Sequence, residues 1–314
     1  MIRLRIVVLT VVCCLSPFGP SLSRGQSTSR AHEPLRVLIV DGHNPYHDWQ
    51  VTTPLLKQIL EDSGRFTVDV ATAPVPAGYT SPTTGPPPPV DNSGFRPRFA
   101  DYDVVVGNYV GPRWPAETER EFAEFVAGGG GFVAVHAADN AFPDWPEYSR
   151  MCGVGGWYGR NELSGPHVYF DDSDKEVRDT APGPGGHHGP QHEYQVRIRG
   201  TEHPITRGLP TVWMHTQDEL YDTLRGPAKD MHILATAYSD AAFEGTGKHE
   251  PMMMTLPYGR GRVFHTVLGH ADYSMKCVGF VTTLRRGTEW AATGKVTIDV
   301  PEDFPTADES SASE

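Results

Sequence analysis

Gly128-Gly-Gly-Gly-Phe-Val-Ala-Val-His136 is the stretch that decides how the chain is read. Its glycines stop a preceding helix, its apolar residues make a short strand, and an imidazole stands where the strand runs out. Open α/β sheets gather ligands above the carboxyl ends of their strands, so His136 points to a site. Two upstream runs, Arg36-Val-Leu-Ile-Val-Asp41 and Asp103-Val-Val-Val-Gly-Asn108, are the kind of continuous apolar segment that forms strands buried on both faces. Between the first of them and a second strand at Phe66 to Ala71, Thr53 and Pro54 read as the N-cap and first residue of a helix. Leu55, Leu56, Ile59 and Leu60 supply its stripe. A β-α-β crossover follows, and the strands it joins are parallel. Pro115 to Ala127 predicts a second helix, with Phe122, Phe125 and Val126 inward.

Downstream, Glu193 to Ile198, Met231 to Ala237, Met252 to Leu256 and Arg262 to Leu268 predict strands. The last two form a hairpin around Pro257-Tyr-Gly-Arg-Gly261, and Met275 to Ala292 predicts a closing helix. A Pro-rich insertion at 74–97, including Gly85 to Pro89, reads as an exposed loop. Residues 137–192 lose regular patterning while Trp145, Tyr148, Trp157, Tyr158, His167, Tyr169, His187, His188 and His192 accumulate, which suits a site wall. Residues 301–314 are acidic and Ser-rich and read as a disordered tail. No repeat or linker divides the core, so 35–300 is one domain.

The chain has 314 residues, 38% hydrophobic and 21% charged, which suits a packed soluble fold. With 27 basic against 39 acidic residues and no Lys/Arg stripe, nucleic acid is excluded as a partner and a small molecule is favoured. Met1-Ile-Arg3-Leu-Arg5 and the apolar run Ile6 to Leu15 have the form of a signal peptide ending near residue 25. The run is shorter than the roughly 20 residues a membrane span needs, so the mature chain carries no span and is expected to be exported, periplasmic or extracellular. Its cysteines, Cys152 and Cys277, either form one bridge or stay as two buried thiols. No structural zinc spacing is present.

Asp41-Gly-His43, Asn108, His136 and His270 all stand at strand ends, and parallel strands bring them to one edge. Imidazoles beside a carboxylate suit general acid/base work or a metal. A hydrogen-bonded loop histidine is the competing reading for any single one. His43, His47 and His136 are the candidate ligands of a divalent metal, although Asn44 and Pro45 keep the His43/His47 spacing from being helical. Trp213-Met-His-Thr-Gln-Asp218-Glu219-Leu-Tyr221 offers carboxylates to act as base or to accept a sugar hydroxyl, flanked by aromatic faces for stacking. A solvated acidic turn is the alternative there. His265 alternates with Val263 and Val267 and reads as a core histidine. Gly259-Arg-Gly-Arg262 opens no helix, and no dinucleotide fingerprint follows the first strand.

Together Asp41-Gly-His43 with His47, Gly-Gly-Phe-Val-x-x-His136, His203-Pro-Ile-Thr-Arg-Gly-Leu-Pro210, Asp218-Glu-Leu-Tyr221 and Gly261-Arg-Val-Phe-x-Thr-x-Leu-Gly-His270 resemble the trehalose-utilisation (ThuA-like) family. The resemblance implies an α/β fold similar to flavodoxin and the class I glutamine amidotransferases, a three-layer sandwich on a mostly parallel central sheet. His136 then occupies the place of the amidotransferase nucleophilic cysteine, so thiolate hydrolysis of glutamine is excluded. What the family implies is a carbohydrate-catabolic enzyme, a hydrolase or lyase acting on a glycoside, disaccharide or 3-keto-glycoside by acid/base chemistry, with or without a divalent metal, and the signal segment makes it an exported one. Proton transfer falls to His136, His270 and Glu219. Substrate binding falls to Asp41, His43, His47, Asn108, Asp218, Trp213 and Tyr221. A homo-oligomer is compatible with this reading. A non-catalytic sugar-binding or accessory protein is the alternative. The Pro-rich insertion and Gly183-Pro-Gly-Gly-His-His-Gly189 are embellishments that bear on which substrate enters.

Overall fold

The computed structural model describes residues 33–82 and 89–313. The expected signal segment, 1–25, and the centre of the Pro-rich insertion lie outside the described residues. Eleven strands form one sheet: β1 (Leu35–Asp41), β2 (Phe66–Thr72), β3 (Val104–Gly107), β4 (Gly131–Val135), β5 (His167–Phe170), β6 (Glu176–Asp179), β7 (His192–Ile198), β8 (Val212–Asp218), β9 (His232–Tyr238), β10 (His249–Tyr258) and β11 (Gly261–Thr266). The order is β2-β1-β3-β4-β11-β10-β9-β7-β8, with the β5–β6 hairpin attached to β10.

The first five strands of that order are mutually parallel and all later pairings are antiparallel. The sheet is therefore mixed, which corrects the mostly parallel sheet expected. The hairpin between β10 and β11 reverses the chain beside the parallel half, and β7, β8 and β9 extend the sheet outward from β10 with no helical crossover among them. Strand β8 itself carries polar residues that concealed its alternation in sequence; Trp213, His215 and Asp218 are its buried positions.

Two layers of helix cover the parallel half. Helix α1 (Trp49–Glu61) packs beside α5 (Val278–Thr293), while α2 (Ala116–Ala127) and α3 (Pro146–Cys152) share an aromatic cluster on the other face. Phe122 of α2 meets Phe132 of β4 edge to face, and burial of each such ring stabilises by about 1.5–3 kcal/mol. Helix α1 begins a turn earlier than Thr53, because the Asp48 carboxylate caps it by accepting from the Val51 amide. The closing helix is interrupted: a short α4 (Asp272–Met275) precedes α5, with Cys277 extended between them. Residues 137–192 are not irregular throughout, since they hold α3 and the β5–β6 hairpin.

The tail is also corrected. Thr306 accepts from the Met214 amide on β8, Ser311 accepts from the Val278 amide, and Phe304 packs edge-on against Trp213. Cys152 and Cys277 are both buried and free, and His265 is a core histidine whose Nδ1 donates to the Cys152 carbonyl.

Candidate functional site

The parallel register aligns Val40 of β1, Gly107 of β3, Ala134 of β4 and His265 of β11 near one edge, and the residues just beyond them turn over that edge. His136 leaves β4 with φ 47°, a left-handed turn that ordinary side chains rarely adopt. This sharp strand-to-turn elbow aims the ring into the crevice. The buried Arg160 guanidinium fastens the turn from below, donating to the carbonyls of Asn140 and Ala141.

Four side chains converge at the edge: His47 from the loop before α1, His136, Glu219 after β8, and His270 after β11. One donor atom from each lies within 4.8 Å of the other three. Glu219 Oε2 is 3.1 Å from His270 Nδ1, 3.5 Å from His136 Nε2 and 3.8 Å from His47 Nε2. His47 Nε2 and His136 Nε2 face each other at 3.1 Å.

The outer nitrogens of two of these rings are already committed. His136 Nδ1–H donates to the Val267 carbonyl at 2.6 Å and His47 Nδ1–H to Asn44 Oδ1 at 2.7 Å. In their neutral forms the two rings therefore turn bare Nε2 lone pairs toward each other, an arrangement that a proton or a metal cation between them relieves. Donors about 2.0–2.1 Å from a tetrahedral ion lie roughly 3.3 Å apart, and the separations found here bracket that value. Three imidazoles and a carboxylate suit a first-row divalent ion.

The electrostatics agree with a cationic centre. Burial works against the Glu219 charge, but the imidazoles of His136, His270 and His47 gathered around it hold its carboxyl well below the usual range. Burial alone would lower His136, yet the carboxylates of Glu219 and Asp218 outweigh it and raise that ring. Burial pushes His47 down to about 3, helped by its imidazole neighbours.

Asp218 is buried beneath this centre as an anchor. Its Oδ2 accepts from the Gly269 amide at 2.7 Å and from His215 Nε2 at 2.8 Å, and its Oδ1 accepts from the amides of His270 and Glu219. It binds the backbone that carries two members of the cluster and does not reach a substrate.

The remaining sequence candidates divide. Tyr221 stands at the site, its ring 4.3 Å from that of His136. His43 lies outside the cluster: its ring is wholly buried and packs, tilted, at 4.8 Å from Tyr79, and the donors found beside His47 and His136 are Glu219 and His270. Asp41 and Asn108 lie beneath the start of α1, where Asn108 Nδ2 donates to the hydroxyls of Thr52 and Thr53. Burial raises the Asp41 carboxyl, with Thr72 and Thr53 opposing. Trp213 is fully buried against Gly279 and offers no face to a ligand.

A cavity of about 370 Å³ opens above the cluster, lined by His47, Glu219, Tyr221, Trp157, Tyr158 and His188. Trp157 and His188, rather than Trp213 and His43, are the indole and an imidazole on the cavity wall. His188 Nε2 lies 3.6 Å from Glu219 Oε1 while its Nδ1 donates to the Gly189 carbonyl at 2.9 Å. The signal for both was the crowding of aromatics and histidines in 137–192, without any periodicity to say which would face inward.

Among curated proteins none matches the chain. A ThuA-like protein from Parabacteroides merdae is 50% identical, with 90% of this chain and 98% of that one aligned at a TM-score of 0.82. A second ThuA-like protein, from Bacteroides uniformis, is 17% identical over 87% of this chain and 97% of its own, with a TM-score of 0.56, a likeness of fold alone. The family model described as trehalose utilisation matches residues 36–291, and with it the chain belongs to the carbohydrate-related ThuA family.

Proposed function

We propose that the protein is an enzyme of glycoside breakdown that acts on a 3-keto-glycoside, with a divalent cation held by His47, His136, Glu219 and His270 and with His188 moving the proton. The observation that carries this reading is the convergence of four donors, two of them with opposed lone pairs, at the floor of an aromatic-walled cavity. Membership of a trehalose-utilisation family supports a sugar as the ligand. When bound, the cation would polarise a substrate oxygen.

The chain's own groups supply the rest. Because the donor atoms of His136, His270 and Glu219 point at one another, the proton-transfer role passes to His188, whose Nε2 is left as an acceptor on the cavity wall. A keto group at C3 acidifies the C2 hydrogen. His188 takes that proton, the C1–O bond breaks as the C1–C2 double bond forms, and the imidazolium returns the proton to the departing oxygen. Trp157, Tyr158 and Tyr221 give the sugar ring apolar faces and exclude water. The charged start and apolar run of residues 1–25 support export to the periplasm or beyond.

The test is incubation of metal-analysed protein, with and without added Zn²⁺ or Mn²⁺, with trehalose, simple glucosides and their 3-keto forms. Product is expected from the keto forms. His188→Ala should lower turnover about 10²- to 10⁴-fold with metal content unchanged, whereas His136→Ala should lose both metal and turnover. No product from any substrate under any metal condition overturns the enzyme reading, and saturable sugar binding in its place assigns a binding protein.

A further inference from the structure

We infer that the sugar cavity continues into a second, apolar subsite that takes a flat, aryl-type aglycone of the glycoside. This rests on the glycoside reading above and extends it from the sugar to the group the sugar carries. A cleft of about 280 Å³ adjoins the histidine cavity, and the two share Tyr46, Val110, Asn140 and Tyr158 along their common wall. Beyond that wall the side chains are Pro45, Pro112, Phe142 and Pro143. Among the described residues none of the cleft's side chains is charged, and the only polar side-chain groups are two phenol hydroxyls and the Asn140 amide. The Asn140 oxygen is already taken by the Gly156 amide at 2.8 Å.

Two further observations point to a ligand that fills this cleft. Tyr46 and Tyr158 are 62% and 45% exposed, large aromatic side chains held in water on either side of the junction. Tyr158 is held there by a strained backbone, φ 47°, which the surrounding fold must maintain. Exposed aromatics that cluster at a cavity mouth mark a binding surface.

The chemistry of the walls then selects the occupant. A second hexose presents hydroxyls around its whole rim, and most would lose water there without gaining a partner. A planar apolar ring loses nothing and stacks on proline and tyrosine faces. With the sugar over the metal cluster and the ring in the cleft, the glycosidic bond falls at the shared wall.

The experiment compares the 3-keto forms of methyl glucoside, phenyl glucoside in both anomers, and a glucose disaccharide, and measures phenol alone by saturation-transfer NMR. We expect the better phenyl anomer to have a KM at least about ten-fold below that of the methyl compound, from burial of the ring. The disaccharide should show no such gain, and phenol alone should bind. Pro112→Asp should reduce the phenyl preference and the phenol signal together. Tyr46→Ala, at an exposed position that folding does not need, should do the same. Equal KM values for phenyl and methyl compounds, with no phenol binding, overturn the subsite while leaving turnover to support the glycoside reading. A disaccharide with the lowest KM overturns the aryl assignment. Phenol binding that both variants weaken, without turnover of any glycoside, upholds the subsite and counts against the enzyme reading instead.

Discussion

Replacing Asp218 by Asn tests whether one buried carboxylate anchors the site. Each of its oxygens accepts two donors, Oδ2 from Gly269 N and His215 Nε2 and Oδ1 from His270 N and Glu219 N. An amide keeps one oxygen, so whichever way it turns, its NH₂ faces two donors and two charge-assisted bonds are lost. At about 1.5–3 kcal/mol each, the loss is roughly 3–6 kcal/mol, close to the range of about 3–5 seen when one partner of a buried ion pair is removed. That is a large share of the 5–15 kcal/mol by which domains are usually stable.

The variant also changes the pH profile. Burial depresses His215, but Cys277 and Asp218 outweigh it and raise the ring to about 9. A histidine raised in the folded state stabilises fully below its unfolded value of about 6.5, and that contribution is lost as pH rises through about 9. Urea unfolding of both proteins between pH 6 and 9.5 should show the wild type losing stability across that window and Asp218→Asn losing less of it. A loss below about 1 kcal/mol at pH 7, with an unchanged pH slope, would refute the anchoring role.

Metal removal should be legible in stability as well as in activity. Chelated protein supplied with Zn²⁺ at one hundred times its dissociation constant should gain about 2.7 kcal/mol against unfolding, and His136→Ala should gain almost nothing in the same titration. Asn44→Ala, which strips the His47 ring of its acceptor, should weaken metal binding about 10- to 100-fold by calorimetry while the fold survives. In Gly287→Ala the new methyl lands on the Phe264 ring between α5 and β11, so unfolding should be easier by about 1–3 kcal/mol. An unchanged urea midpoint would show that the helix can lift away freely.

Much of the parallel half was legible because most of its strands are short apolar runs closed by polar residues, so the gathering of His136 and His270 at one edge followed from topology. Glu219 lies beside them. His43 and Trp213 failed for the same reason: residue type says that a side chain can bind or stack, but only packing says which way it faces. His43 turns under the loop toward Tyr79, and Trp213 turns into α5. The antiparallel half was harder to order, since the polar residues of β8 are buried by partners far away in sequence. Asp218 looked like a ligand-binding carboxylate because three of its four partners are main-chain amides, which leave no mark in a sequence.

The segment after α5 has a consequence for how the protein behaves in company. Strand β8 is the outermost of its side of the sheet, and an uncovered edge strand invites pairing with another copy. Residues 301–313 run along that flank, where Thr306 accepts from Met214 of β8 and Gln195 donates to Ala307. What resembles an acidic leftover thus occupies part of the edge that another strand would otherwise pair with, and lays the carboxylates of Glu302, Asp303, Asp308 and Glu309 along that flank.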